Sequence, residues 1–410
     1  MPLAVAACGG GEGAGGDAGH FVVEGGADGV AAGDGGGDAA AGDGGGAHDA
    51  NAGGDTGGGG DAGHPGEGGA AEAGPPAKLV AYASGYGPDI HWLSVDATTG
   101  ALAPVGSVAS FGSAPSFLAV EAAGKHLYAV DEATPGRVGA YSIDASSGAL
   151  SFLGAVASGG DGPPYVGVAA SWAFVANYTS GSVSVLPVKG DGSLGAATDT
   201  QSAGALAHMA LPDPSGRFVF VPCKGADYVA QYVFDATKGT LAPNATPHFA
   251  TAGGAGPRHL AFHPTLPVAY LIDESASTMM ALAFDANAGT LSALQTISTL
   301  PPGFTGTNTG AEVHVHPGGK WLFGSNRGDD SIVVFALDAA GKMTVHGFTK
   351  SGGATPRDFS LDPTGTFLYA ANQGSGNVAA FRFDATAGTL TPVGTPVAVA
   401  QASFVGVAAL

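Results

Sequence analysis

Apolar residues in this chain occur in short continuous runs with no helical stripe. Seven such runs, "LVAYAS" (79–84), "HLYAVD" (126–131), "WAFVAN" (172–177), "FVFVPC" (218–223), "VAYLID" (268–273), "WLFGSN" (321–326) and "FLYAAN" (367–372), have strand length. Their near-continuous apolarity is the pattern of a strand covered on both faces. Each is followed by a polar turn signature: "VDATTGAL" (95–102), "IDASSGAL" (143–150), "VKGDGSL" (188–194), "FDATKGTL" (234–241), "FDANAGTL" (284–291), "LDAAGKM" (337–343) and "FDATAGTL" (383–390). Asp opens the turn, Gly supplies a position with φ > 0, and β-formers flank both, which predicts a hairpin between two strands.

A further strand precedes six of the apolar runs: "FLAVEA" (117–122), "VGVAAS" (166–171), "HMALPD" (208–213), "HLAFHP" (259–264), "VHVHP" (313–317) and "DFSLDP" (358–363). The first unit lacks it, and "FVGVAAL" (404–410) is the strand that would complete that unit. Units repeating every 45 to 53 residues, each of four short antiparallel strands, predict an all-β seven-bladed propeller closed by residues 404–410. Closure removes the open strand edges that a stack of sheets would expose.

Composition divides the chain. Residues 1–77 are almost entirely Gly, Ala and Asp, with 12 acidic residues and no Lys or Arg. They offer little to bury and are expected to be a disordered tether. The propeller segment, 78–410, carries 22 acidic and 14 basic residues, a net charge of −8 with His neutral. Without a basic stripe, nucleic acid is excluded as a partner. Cys8 closes "VAAC", which fits a bacterial lipoprotein cleavage site and predicts lipidation. A lipid anchor there would be the one membrane contact, placing the protein in the bacterial envelope or outside the cell; a cytoplasmic location is the alternative. Cys223 reads as a partly buried structural thiol. A monomer is expected.

Aligning the blades on the Pro that ends each innermost strand gives one ring of equivalent positions, His208, Arg258, Ala311 and Arg357, and the next ring, Met209, His259, Glu312 and Asp358. The second blade has Ser116 and Phe117 instead, so one side of the ring is ionisable and the other is small or apolar. The ends of the second strands repeat the asymmetry, reading Asp131-Glu132, Asn177, Lys224, Asp273-Glu274, Asn326-Arg327 and Asn372-Gln373. Antiparallel order then gathers His208, Arg258, His259, Glu274, Glu312 and Arg327 on one face. His314 and His316, two apart on a strand, are expected to point the same way, into the channel. A metal on His314, His316 and Glu312 is a weaker alternative, and no metal or other cofactor is required.

"GAGPRHLAFHP" (254–264), "AEVHVHPGGKWLFGSNRGDDSI" (311–332), "VANYTSGSVSV" (175–185) and "TPRDFSLDPTGTFLYAAN" (355–372) resemble the motifs of the seven-bladed lactonase family. That family includes bacterial propeller-type 6-phosphogluconolactonases and fungal carboxymuconate-lactone-forming enzymes. The resemblance covers 78–410 and implies hydrolysis of a sugar lactone or related cyclic ester. It places the catalytic set on His208, Arg258, Glu274 and Arg327, with His259, Glu312, His314 and Arg357 expected to bind the substrate. Glu274 is the preferred general base; His208 takes that role if Glu274 is held in an ion pair with Arg258. The Arg residues would hold a substrate anion or the oxyanion. Tyr165 and Val166 depart from the family's polar strand start and leave the substrate open. Two other readings stand: a non-enzymatic surface propeller that binds a ligand or protein, and a lactone-forming cycloisomerase.

Overall fold

The computed structural model describes residues 78–410 apart from Ala122. The tether and Cys8 lie outside the described residues. Seven sheets of four antiparallel strands form the propeller, and among the described residues every regular element is a strand. Blade 1 runs, from channel to rim, Ala402–Ala409, Leu79–Gly85, Asp89–Val95 and Leu102–Ala109. The C-terminal strand therefore pairs along the whole of Leu79–Gly85 and closes the ring as expected.

Each turn signature forms the hairpin between a blade's two outer strands. Asp96 Oδ1 accepts from the amides of Thr98 and Thr99 at 2.9 and 2.8 Å, and Gly100 sits at φ +77°. A Cβ on Gly100 would lie 2.1 Å from the Phe367 ring of blade 7, so this glycine serves both the turn and the blade contact. Tyrosines in the second strands latch neighbouring blades. Tyr82 donates to Gly148 O, Tyr270 to Gly341 O and Tyr369 to Gly100 O, at 2.9, 2.9 and 3.1 Å. The core is thus a set of interblade layers, such as Val80, Tyr82, Leu118, Leu127 and Tyr141 between blades 1 and 2.

The innermost strands are less regular than the alternation of apolar residues predicts. In blade 4 the ladder is reduced to Leu211–Pro212 and a bridge from Ala207 to Cys223. The cause is Pro222: it accepts from the His208 amide at 2.9 Å but has no N–H to return. In blades 5, 6 and 7 the register shifts between Pro257 and His259, between Gly310 and Val313, and between Pro356 and Asp358. Arg258 and Arg357 are the extra residues of two of these bulges, a device that turns a side chain out of the alternation.

His316 departs from its expected direction. The strand ends at Val315; His316 Nδ1 accepts from the Gly318 amide at 2.9 Å and Nε2 donates to Gly365 O at 3.2 Å. It fastens a turn to blade 7 and does not join His314 and Glu312 in a metal site.

Asp273 ends the second strand of blade 5, where blades 3, 6 and 7 have Asn177, Asn326 and Asn372. Those amides donate to loop carbonyls, as Asn326 does to Thr299 O at 2.7 Å. Asp273 takes a hydrogen bond from Thr278 at 2.7 Å, but its Oδ1 is buried without a partner. Burial raises its pKa to about 6 from 3.8. The folded state therefore holds this proton better, a contribution present below 3.8 and lost as pH rises through 6. Asp273→Asn is expected to stabilise the fold by roughly 1–3 kcal/mol at pH 8 and by little at pH 4. Urea unfolding at the two pH values checks this; equal shifts would show that Asp273 carries no buried charge.

Candidate active site

Two layers of side chains cross the channel on one face. The deeper layer takes one residue from each blade, in or just before its innermost strand: Phe404, Phe117, Tyr165, Met209, His259, Glu312 and Asp358. Four are apolar or aromatic and three are ionisable, so the asymmetry read from the sequence is a real division of the ring. His259 is 1% exposed because the rings of Phe117 and Tyr165 stand edge-on to it, with centroids 6.0 and 5.8 Å away. Beneath this layer a cavity of about 510 Å³ continues down the channel, with His314 and Ser360 among its few polar residues.

The upper layer lines the mouth. A cavity of about 260 Å³ is bounded by Glu132, Tyr178, His208, Lys224, Glu274 and Arg357. Most of these come from the residue just beyond a second strand, the ring that begins with Tyr86 in blade 1 and runs through Glu132, Tyr178, Lys224, Glu274 and Arg327. Glu274 is the hub. Its Oε1 pairs with Lys224 Nζ at 2.6 Å, and its Oε2 lies 3.0 Å from Arg327 Nη2 and 3.3 Å from Arg258 Nε. The last contact lacks hydrogen-bond alignment, which leaves Arg258 Nε unpartnered. Arg258, 3% exposed, is held by donation from Nη1 to Ala311 O, and Arg327 donates to Gly310 O at 3.0 Å. Arg357 lies over the Tyr86 ring, whose hydroxyl donates to Glu132 at 2.8 Å. The mouth thus holds four cations against two carboxylates on a chain whose net charge is −20.

Burial works against the Glu274 charge, yet Arg327, Arg258 and Lys224 hold its pKa to about 2. Burial lowers Arg258 to about 10, with Arg327 and Arg357 adding repulsion. His208 is pushed well below the ordinary 6.5 by burial and then by Arg258, His259, Arg357 and Arg327. It stands neutral in the pocket wall, with its Nδ1 3.1 Å from His259 Nε2.

Of the residues named from the sequence, His208, Glu274 and Arg357 line the mouth cavity, and Arg258 and Arg327 are bound to it through Glu274. His259 and Glu312 lie one layer deeper, joined at 2.7 Å, and His314 lies deeper again, 3.8 Å from Glu312. These three line the channel cavity. Tyr86, Tyr178 and Lys224 also belong to the mouth; the sequence places Lys224 in the ring of second-strand ends but outside the expected site, and the two tyrosines share that register with Glu274.

A family model described as "Lactonase, 7-bladed beta-propeller" matches residues 79–407. This chain is a member of the seven-bladed β-propeller lactonase family. Among solved structures, the Pseudomonas aeruginosa periplasmic gluconolactonase superposes with a TM-score of 0.76 at 30% identity. That match covers 82% of this chain and 100% of the other. A putative 6-phosphogluconolactonase from Bacteroides uniformis gives 0.76 at 26% identity, over 81% of this chain and 100% of the other. A curated relative from Pectobacterium carotovorum, named 6-phosphogluconolactonase, is 33% identical over 192 residues, which is 46% of this chain. The chain spans 57% of that relative's length. Membership in the lactonase family accounts for the blade count and the closure. The Lys224–Glu274–Arg327–Arg258 cluster is what this member places at its mouth.

Proposed function

We propose that this lactonase-family protein hydrolyses a sugar lactone or related cyclic ester that bears a carboxylate or phosphate, with His208 as general base. The observation that carries the reading is the mouth cavity itself: one neutral imidazole in a wall shared with cationic side chains. His208 Nε2 takes a proton from water as the oxygen adds to the lactone carbonyl. The same proton then passes to the ring oxygen as its bond to carbon breaks. Arg357 and Lys224 face the cavity and hold the substrate anion, a planar fork and a point charge respectively. Glu274 is the less suitable base, since both its oxygens are engaged by cations. Relatives named 6-phosphogluconolactonase and gluconolactonase support the substrate class. The periplasmic neighbour and the "VAAC" sequence support an envelope location.

The test is turnover of a lactone panel by the full-length protein, with phosphorylated and unphosphorylated members of one sugar series, beside Arg357→Ala. The reading expects hydrolysis, with the variant losing about tenfold or more in kcat/KM on the anionic members. Absence of turnover above the spontaneous rate on every lactone would overturn it.

The pH profile follows from the groups around His208. Burial opposes its protonation most, followed by Arg258, His259, Arg357 and Arg327; Lys224 on the cavity wall acts in the same sense, and Glu274 and Glu132 favour the proton. Its proton-bound form is depleted at neutral pH, so kcat/KM should stay flat from pH 8 to the ordinary imidazole value of 6.5 and fall only below it. An acid limb centred at or above 6.5 would contradict this arrangement.

A further inference from the structure

We infer that Glu312 and His259 are positioning residues for His208, forming a buried relay that fixes which of its ring nitrogens is free to accept a proton. The inference rests on the proposed role of His208 as base. Three links carry it. Glu312 Oε2 is 2.7 Å from His259 Nδ1, and a carboxylate oxygen can only accept, so Nδ1 of His259 bears the hydrogen. A neutral His259 then has a bare Nε2, which lies 3.1 Å from His208 Nδ1 and must accept from it. With its own Nδ1 protonated, His208 presents a bare Nε2, and among the described residues no protein group bonds to that atom.

The surroundings keep each step in place. Burial depresses His259 to about 4, partly offset by Glu312, so it is neutral near pH 7. Glu312 is the charged end. Burial opposes its ionisation, but His259, His314 and Arg258 hold it to about 2. Its other oxygen accepts from the Val313 amide at 3.0 Å, which fixes the carboxylate plane. Asp358 beside it is pushed well above the carboxylate range by burial and by Glu312, and so keeps the proton of the pair. Phe117 and Tyr165 clamp the His259 ring from across the channel. Neither Glu312 nor His259 borders the mouth cavity, so their effect on a substrate there passes through His208.

When His208 takes a proton at Nε2, the cation it becomes still donates from Nδ1 to His259, whose far side faces the Glu312 charge. A substitution that reverses the donors therefore removes both the bare nitrogen and this stabilisation. Glu312→Gln does so with little change of shape: its amide can donate to His259 Nδ1, which shifts the His259 hydrogen to Nε2 and then the His208 hydrogen to Nε2.

The experiment uses the full-length protein labelled with ¹⁵N at histidine, with a His208→Gln spectrum to assign the His208 resonances. In the wild type, His208 Nε2 is expected to resonate as a bare, pyridine-type nitrogen and Nδ1 as a protonated one. In Glu312→Gln the two should exchange, and kcat should fall by about 10²–10⁴-fold with KM within about threefold. Glu312→Asp, which keeps the acceptor, should recover at least about tenfold of that loss. A protonated Nε2 in the wild type overturns the relay whatever the variants do, and folding of a variant has no bearing on that result. Full kcat in a folded Glu312→Gln overturns it as well. A protein that hydrolyses no lactone yet shows the bare Nε2 would sink the hydrolase reading and leave the relay standing.

Discussion

His208→Gln is expected to lower kcat by about 10²–10⁴-fold while KM changes by less than about threefold. Glutamine reaches His259 much as the imidazole does, so the wall of the mouth cavity keeps its shape. What it lacks is a nitrogen that can take a proton from water. Steady-state kinetics on whichever lactone the panel identifies measures the loss. The companion His208→Ala leaves a space, and added imidazole should restore part of its rate by supplying the missing base. Loss of binding in place of turnover, or imidazole without effect, would return the role of base to Glu274. The structure speaks against that outcome on chemical grounds. A carboxylate whose pKa is held to about 2 has little affinity for the proton of water, and Brønsted behaviour makes it a poor base at neutral pH.

Glu274→Gln should instead reveal itself in stability. Removing the charge leaves Arg327, 9% exposed at its side chain, without a carboxylate partner, and leaves Arg258, 3% exposed, with only Glu312 at 4.0 Å. Breaking a buried pair in this way costs about 3–5 kcal/mol. The carboxyl has a folded pKa of about 2 against 4.5 ordinarily, so its contribution is present above 4.5 and lost as pH falls through 2. Wild type and variant should therefore differ from pH 8 to about 5 and converge towards pH 2. Inorganic phosphate gives a second readout. In the variant the anion meets cations that have lost their partner, so phosphate should raise its denaturation midpoint more than that of the wild type. Equal shifts in the two proteins would mean that the cluster does not bind anions.

The sequence carried the blades because the turn chemistry is local: an Asp that caps two amides and a Gly with positive φ leave the same signature in any blade. It carried Arg258, Glu274 and Arg327 because equivalent positions in consecutive blades must converge on a shared axis. Depth was harder to read. Arg258 and His259 are adjacent in the chain but stand in different layers, because a bulge turns the arginine up to the mouth while the histidine keeps its place in the channel ring. No residue pattern announces a bulge of that kind, so the sequence does not separate Arg258 at the mouth from His259 and Glu312, which line the channel cavity one layer deeper. His316 was misdirected for a related reason, since alternation holds only while the strand lasts and this one ends a residue earlier. The weak ladder of blade 4 was in principle legible in Pro222, which accepts from the His208 amide but has no N–H to return to its carbonyl. Tyr86 and Tyr178 gave no signal of their own, because an aromatic at the end of an apolar strand reads as core.

The closing strand also has a meaning in time. Ala402–Ala409 completes blade 1, and it reaches into both neighbours: Ser403 Oγ donates to Ser116 O at 2.8 Å, and the Val405 amide donates to Asp358 Oδ1 at 3.2 Å. A ribosome adding about 5–20 residues per second needs roughly 15–60 s to pass from the strand Leu79–Gly85 to its partner. Throughout that interval the nascent chain carries an unpaired, apolar strand edge, and the carboxyl group beside Glu312 lacks its backbone donor. The site and the ring are therefore finished by the same late event, and a chain released before it would have neither.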